Sequence, residues 1–128
     1  MKNKRIQELT DEERIVTQEK GTEAPFTGKF WKHNENGMYT CKVCSAPLFK
    51  SDTKLDSNEG PAGLRGWPAF DRAIPGSIEM IKDTSLGMNR TEVVCANCKS
   101  HLGHIFDDAT ETGDHFCINS CSLDFENK

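Results

Sequence analysis

The hydrophobic pattern of the chain changes near Gly21. Before that point, Thr10 and Glu13 have the spacing of a helix capping box, and apolar residues around them recur at a helical spacing. The pattern therefore predicts one short N-terminal helix that packs on the rest of the domain. The apolar residues of its buried face would be Ile6, Leu9, Ile15 and Val16.

After Gly21, apolar residues occur in short runs that Gly, Pro, Asn and Asp interrupt. Several short antiparallel strands are expected, and they predict a mainly β domain built as a barrel or a sandwich. Residues 56–66 contain three glycines and a proline, which predicts an exposed loop. The predicted strands lie near residues 37–41, 77–82, 90–94, 104–106, 115–119 and 122–125.

Composition limits the class of protein. The 128 residues, 35% hydrophobic and 28% charged, fit a single domain over residues 1–128. The formal net charge of -4 disfavours a nucleic-acid partner, because such a field does not attract polyanions. The sequence has neither the apolar core of a secretory signal nor the roughly 20 apolar residues that span a bilayer. We expect a cytoplasmic monomer with no membrane role.

Four of the six cysteines form two Cys-x-x-Cys motifs, Cys41 with Cys44 and Cys95 with Cys98. This spacing lets one tight turn supply two thiolates to a tetrahedral ion, and two such turns complete a closed zinc site. The separation of the motifs exceeds the roughly 15–20 residues of a zinc ribbon, so the ion would join distant hairpins. We interpret the set as structural zinc; a reversible dithiol and unrelated buried thiols are the alternatives.

Cys117 and Cys121 are left for another role. Each could be a small buried hydrophobe, which is the usual fate of a free cysteine. Cys117 is nevertheless accompanied by Asn119, two residues further along a predicted strand, and by His101 and His104 upstream. Because amide and imidazole groups can activate a thiol, Cys117 is the candidate nucleophile. His33, in contrast, lies in a polar segment and is expected to be solvated.

The chain resembles the B-type methionine sulfoxide reductases over about residues 9–125. The resemblance is carried by LTDEERIVTQEKGTEAPFTG, GMYTCKVCSAPLF, KLDS, GWPAF, GMNRTEVVCANCKSHLGHIFDD and FCINSCSLDF, in this order. It implies two antiparallel β-sheets with short N-terminal helices. It also implies reduction of peptide-bound methionine-R-sulfoxide, with thioredoxin as the reductant. Motifs of this length make a chance match remote.

The resemblance also implies roles for individual residues. Cys117 would attack the sulfoxide sulfur and become a sulfenic acid, with His104 as proton donor. His101 and Asn119 would belong to the same hydrogen-bonded site, and Trp67 would form the pocket for the substrate's methyl group. An ordinary core aromatic residue is the alternative interpretation of Trp67.

Two positions depart from the family pattern. Members commonly have Arg two residues before the nucleophile, where this chain has His115, so we expect the positive charge beside the thiolate to depend on pH. Many members have a resolving cysteine just before the Gly-Trp-Pro motif, where this chain has Arg65. The usual recycling disulfide therefore cannot form in this chain.

Cys121 is then the only other thiol that could resolve the sulfenic acid. Along an extended strand it would lie roughly 13 Å from Cys117, whereas a disulfide needs Cα atoms within about 7 Å. We expect an external thiol to regenerate the enzyme, with a turn at Asn119 and Ser120 as the alternative that would allow the disulfide. A non-catalytic, zinc-stabilised β binding module is the competing function.

Overall fold

A computed structural model describes residues 9–19, 21–24, 26–31, 33, 35–55, 66–83, 90–107 and 114–127. Helix α1 spans Asp11–Gln18 and begins at the predicted capping box. The backbone N–H of Glu13 donates to Thr10 Oγ1 at 3.1 Å, and that of Thr10 donates to Glu13 Oε1 at 2.9 Å. Val16 is buried, whereas Ile15 is exposed, and Ile6 lies outside the described residues. The predicted helix is therefore confirmed, with a narrower apolar face than expected.

The rest of the described chain is mainly β. All strand pairs are antiparallel, and each sheet is open in the described residues. The three-stranded sheet has the order β2-β1-β9, and the six-stranded sheet has the order β3-β4-β8-β7-β6-β5. Two antiparallel sheets confirm the predicted fold class, in the form of two sheets rather than a closed barrel. The strands are β1 (Gly37–Cys41), β2 (Pro47–Lys50), β3 (Lys54–Leu55), β4 (Ala69–Phe70), β5 (Ile78–Asp83), β6 (Arg90–Cys95), β7 (His101–Asp107), β8 (Asp114–Ile118) and β9 (Leu123–Asn127).

All six predicted strands are present, and β1 has the predicted bounds. Three strands, β2, β3 and β4, were not predicted, and they have only two to four residues each. Runs so short show no alternation that could be recognised, and their conformation depends on pairing with other strands.

The predicted strand over residues 115–119 was wrong at its end. β8 stops at Ile118, and the chain continues through Asn119 into a 3-10 turn over Ser120–Ser122. Cys121 lies in that turn. The distance expected for Cys117 and Cys121 along one extended strand therefore does not apply.

Aromatic side chains fill the core, to which both sheets contribute. Phe49 of β2 stacks on Phe70 of β4 with ring centroids 4.3 Å apart, and Tyr39 of β1 meets Phe70 edge to face at 5.1 Å. His33 joins this cluster, since its Nδ1 lies 2.6 Å from the Tyr39 hydroxyl and its ring lies 4.3 Å from that of Phe125. The prediction of a solvated His33 was wrong, because only 18% of its side chain is exposed.

The predicted loop over residues 56–66 lies outside the described residues, apart from Gly66. Arg65, which marks one departure from the family pattern, lies outside them as well. In the part of the chain that is described, no helix has the length and apolar character needed to cross a membrane.

Candidate active site and metal centre

The two Cys-x-x-Cys motifs adopt the same turn at corresponding ends of two strands. Cys41 ends β1 and Cys95 ends β6, so the first thiol of each motif is anchored in a different sheet. The N–H of Ser45 donates to the Cys41 carbonyl, and that of Lys99 donates to the Cys95 carbonyl, both at 2.8 Å. Ser45 and Lys99 both have left-handed φ values, 69° and 66°, which close the turns without glycine. Each turn therefore presents two thiols on one side.

The four thiols converge as the sequence predicted. All four Sγ atoms lie within 4.8 Å of one another, and the Cys41–Cys98 and Cys44–Cys95 pairs are each 3.6 Å apart. A tetrahedral zinc ion with Zn–S bonds of about 2.3 Å separates its sulfurs by roughly 3.8 Å, so the cluster fits such an ion. Hydrogen bonds among the thiols raise the pKa of Cys41 and lower that of Cys98. These four cysteines can hold a metal ion that joins the two sheets.

Cys117 belongs to a row of residues that crosses the six-stranded sheet. In the antiparallel register, Cys117 of β8 lies opposite His104 of β7, and His104 lies opposite Glu92 of β6. On its other side, Cys117 pairs with Ala69 of β4. Directly paired residues project from the same face of a sheet. We call this the site face, defined by Cys117, His104 and Glu92.

A β-bulge in β7 brings His101 to the site face. Val93 pairs with Gly103, but the next residue, Val94, pairs with His101, so Leu102 is the extra residue of β7. A bulge interrupts the alternation of side chains and so redirects those beyond it. Leu102 is fully buried in the core, while His101 follows Val94 onto the site face.

The contacts of His101 agree with that placement. Its Nδ1 lies 2.8 Å from Glu92 Oε2, and both side chains are only 2% exposed. Its ring lies 5.6 Å from that of His104, edge to face, and His104 is half-buried. The two histidines that the sequence singled out are therefore adjacent, and a buried carboxylate accompanies them.

Gly103 lets β7 and β8 approach closely beside Cys117. A Cβ atom at this position would collide with the backbone carbonyl of Cys117. Because a glycine is required there, the spacing between the two strands is fixed next to Cys117 and His104.

Asn119 is buried just beyond the end of β8. Its Nδ2 donates to the Leu102 carbonyl at 3.1 Å, so it binds the same bulge that redirects His101. Its Oδ1 accepts the N–H of Glu23 at 3.0 Å. Asn119 therefore connects the bulge to the segment that follows the N-terminal helix.

Glu23 was not identified from the sequence, although it contacts three parts of the candidate site. Its carbonyl accepts the indole N–H of Trp67 at 2.8 Å, which fixes one edge of that half-buried ring. Its carboxylate Oε1 accepts the N–H of Cys121 at 2.9 Å, and the residue is only 3% exposed. These contacts join residues 44 to 98 positions apart, so no local motif could have revealed them.

Burial determines the electrostatics around Cys117. Burial, and secondarily the Glu23 carboxylate, raise the pKa of the half-buried Cys117 to about 12. His115, two residues earlier on the same strand, is also buried, and burial lowers its pKa. Its Nε2 has no hydrogen-bond partner among the described residues. The free protein therefore holds a neutral thiol next to a neutral imidazole near neutral pH.

The structure thus brings Cys117, His104 and His101 together on one face, while Asn119 and Trp67 are tied to the surrounding backbone. Cys121 is half-buried in the 3-10 turn, where burial and the Glu23 carboxylate raise its pKa. Such an arrangement combines a thiol with imidazoles that can carry protons.

Comparison with known proteins agrees with the family resemblance of the sequence motifs. The SelR domain family matches residues 9–127. A protein of Synechococcus sp. (strain RCC307) named peptide methionine sulfoxide reductase MsrB is 50% identical over 122 residues, covering 94% of this chain and 85% of the relative. Proteins of the same name from Chromohalobacter salexigens and Variovorax paradoxus are 52% and 54% identical, covering 93% and 88% of this chain and 87% and 80% of the relatives.

Proposed function

Because this chain belongs to the SelR domain family, we propose that it reduces methionine-R-sulfoxide, mainly in peptides and proteins, through a sulfenic acid on Cys117. Its family and its relatives make it a peptide-methionine (R)-S-oxide reductase, an oxidoreductase. The observation that carries the proposed mechanism is the direct pairing of Cys117 with His104 across two strands.

In the proposed reaction, the Cys117 sulfur attacks the sulfoxide sulfur and takes over its oxygen. Methionine leaves in the reduced state, and Cys117 becomes a sulfenic acid, so two electrons pass from the cysteine to the substrate. The sulfoxide oxygen needs a proton during attack, and His104, which pairs with Cys117 across the two strands, would supply it. His104 then regains a proton from the thiol, which is neutral before the reaction.

The surrounding residues would bind and orient the substrate. Asn119 and His101 would order the hydrogen bonds around the sulfoxide oxygen, and the Trp67 indole would form an apolar wall for the methyl group. His115, on the same strand as Cys117, would contribute to substrate binding as a neutral side chain.

We further propose that an external thiol, such as that of thioredoxin in the cytoplasm, regenerates the enzyme. One thiol attacks the sulfenic acid and releases water, and a second then releases Cys117 as a thiol and forms a disulfide in the reductant. The raised pKa of Cys121 supports this route, because its neutral thiol would have to lose a proton beside the Glu23 carboxylate, whereas Cys117 has His104 opposite it to take up its proton. A Cys117–Cys121 disulfide is the alternative, because Cys121 lies in a 3-10 turn and not on a continuation of the extended strand of Cys117.

For the metal centre we propose one structural zinc ion per chain, held by Cys41, Cys44, Cys95 and Cys98. A closed set of four thiolates suits zinc, leaves no position for substrate, and contributes to folding. Such an ion stabilises the junction of β1 and β6 without taking part in the chemistry.

One assay tests the activity. Reduced protein is incubated separately with the R and S epimers of a peptide methionine sulfoxide, and dithiothreitol serves as reductant. We expect turnover of the R epimer alone, and none with Cys117→Ser. Comparison with free methionine-R-sulfoxide tests the preference for peptides. Absence of turnover with either epimer would leave the non-catalytic zinc-stabilised binding module as the better explanation.

A further inference from the structure

We propose that Glu92 is a positioning residue of this active site, which acts by holding His101 in the tautomer protonated on Nδ1. The inference rests on the proposed function, because it gives Glu92 a role in the same reaction. Glu92 does not pair with Cys117; it lies two strands away in the row Cys117, His104, Glu92.

Glu92 lies close to both histidines of the candidate site. It is opposite His104 in the register, and its Oε2 also lies 2.8 Å from Nδ1 of His101. Only the bulge at Leu102 allows both relationships, because regular alternation would direct His101 to the other face of β7. One carboxylate is thereby placed beside both histidines of the site.

The Glu92 carboxylate is buried. Only 2% of the residue is exposed, and a buried carboxylate is costly unless it is paired and hydrogen-bonded. Its neighbour on the same face of β6, Val94, is apolar and also buried. Since replacing a buried ion pair by apolar side chains is often neutral or stabilising, stability alone does not explain a carboxylate at this position.

The chemical effect follows from histidine tautomerism. The hydrogen bond that one ring nitrogen makes determines where the proton resides, and a carboxylate at Nδ1 fixes the proton there. Nε2 is then the His101 nitrogen through which proton exchange with the site can occur. The same carboxylate stabilises an imidazolium that forms transiently when a proton moves through the His101–His104 pair.

Glu92→Gln tests the role of the charge, because glutamine keeps the size of the side chain and removes the carboxylate. We expect the single-turnover rate with a peptide methionine-R-sulfoxide to fall about 10–100-fold, as for other residues that orient a functional histidine, with little change in substrate affinity. Glu92→Asp retains the charge, and its rate should lie between those of the wild type and Glu92→Gln. Glu126→Gln is the matched control, since it removes an exposed carboxylate from β9 and should leave the rate unchanged.

A spectroscopic measurement separates positioning from a loss of structure. Imidazole ¹⁵N NMR of the wild type should show His101 protonated at Nδ1, and Glu92→Gln should shift that proton population toward Nε2. A wild-type His101 without a proton on Nδ1 overturns the inference even if no variant folds. Wild-type turnover together with an unchanged Glu92→Gln rate also overturns it and leaves the proposed function intact. Lack of wild-type turnover of either epimer overturns both.

Discussion

Cys117 of β8 and His104 of β7 face each other as a direct antiparallel pair. Such pairs place their Cβ atoms about 4.5–5.5 Å apart on one face, within reach of a shared substrate atom. The pairing explains how residues that are well separated in sequence can belong to one candidate site, and it indicates which substitutions should affect the proposed chemistry.

Removal of the proposed proton donor should slow the reaction without abolishing it. We expect His104→Ala to lower the single-turnover rate by about 10²–10⁴, the usual contribution of general acid catalysis, and Cys117→Ser to give no turnover. Quenched-flow analysis of released methionine measures both. His33→Gln is the histidine control, because His33 lies in the aromatic cluster beside Tyr39 and Phe125. A rate for His104→Ala equal to that of the wild type would remove His104 from the proposed mechanism.

The Glu23 carboxylate should influence the ionisation of Cys117. It is the second cause, after burial, of the raised Cys117 pKa. Glu23→Gln removes the charge but retains an oxygen that can accept the N–H of Cys121, so we expect the Cys117 pKa to fall while remaining above the ordinary thiol range. The pH dependence of Cys117 alkylation, followed by peptide mass spectrometry, measures this change. Identical profiles for the two proteins would contradict it.

Local motifs made part of this molecule predictable. The capping box of α1 and both metal-binding turns depend on residues within five positions of one another, so they can be recognised from the sequence alone. β4 has only two residues and owes its conformation to pairing with β3 and β8. The roles of Leu102 and Glu92 could not be predicted, because a bulge and a cross-strand contact depend on register. Subtraction of the four metal-binding cysteines selected Cys117 with His101 and His104, and the family resemblance assigned their roles, but neither identified Glu23.

The metal centre should couple folding to metal binding. Elemental analysis of purified protein is expected to give one zinc ion per chain, and Cys41→Ser or Cys95→Ser should lower both zinc content and the thermal midpoint. Chelation should act in the same direction, because the four thiols converge only in the folded chain. Cys121→Ser, which leaves the four-cysteine set intact, is the matched control. Well-folded protein with a zinc content near zero would show that the centre is not a structural zinc site.

His115 should make stability depend on pH. Burial lowers its folded-state pKa below the usual value of 6.5, so the unfolded chain binds this proton more readily. The stability that the protein gains from keeping His115 neutral is therefore fully present above about pH 6.5. It is lost as pH falls through that value and below. When pH falls from about 7.5 to 5.5, the free energy of unfolding of His115→Gln should decrease less than that of the wild type. The difference between the two decreases is the contribution of this one buried histidine. Urea denaturation at several pH values tests this, and parallel pH dependences would contradict it.

The lowered pKa of His115 should also affect how activity depends on pH. Because His115 is already neutral near pH 7, the pH–rate profile of His115→Gln should have the same shape as that of the wild type above that pH. His115→Arg would place a permanent cation on the strand of Cys117 and should favour its thiolate, raising the rate at neutral and higher pH. Superimposable profiles for the arginine variant and the wild type would show that position 115 does not act electrostatically on Cys117.

The route of regeneration depends on whether Cys121 can reach oxidised Cys117. The 3-10 turn over Ser120–Ser122 removes the objection that both thiols lie along one extended strand. Cys121 is nevertheless held by the bond from its N–H to the buried Glu23 carboxylate, and its thiol has a raised pKa. Formation of the disulfide would require both an ionised Cys121 and a geometry with Cα atoms within about 7 Å. External thiols such as those of thioredoxin carry neither restriction.

We therefore expect Cys121→Ser to retain turnover supported by thioredoxin. One equivalent of a peptide methionine-R-sulfoxide, added without reductant, should leave the wild type with a sulfenic acid on Cys117 that dimedone traps. Cys117→Ser, which cannot form that acid, controls for labelling elsewhere. If oxidised wild type instead contains a Cys117–Cys121 disulfide, and Cys121→Ser keeps a single-turnover burst but loses thioredoxin-supported turnover, then Cys121 is the resolving thiol.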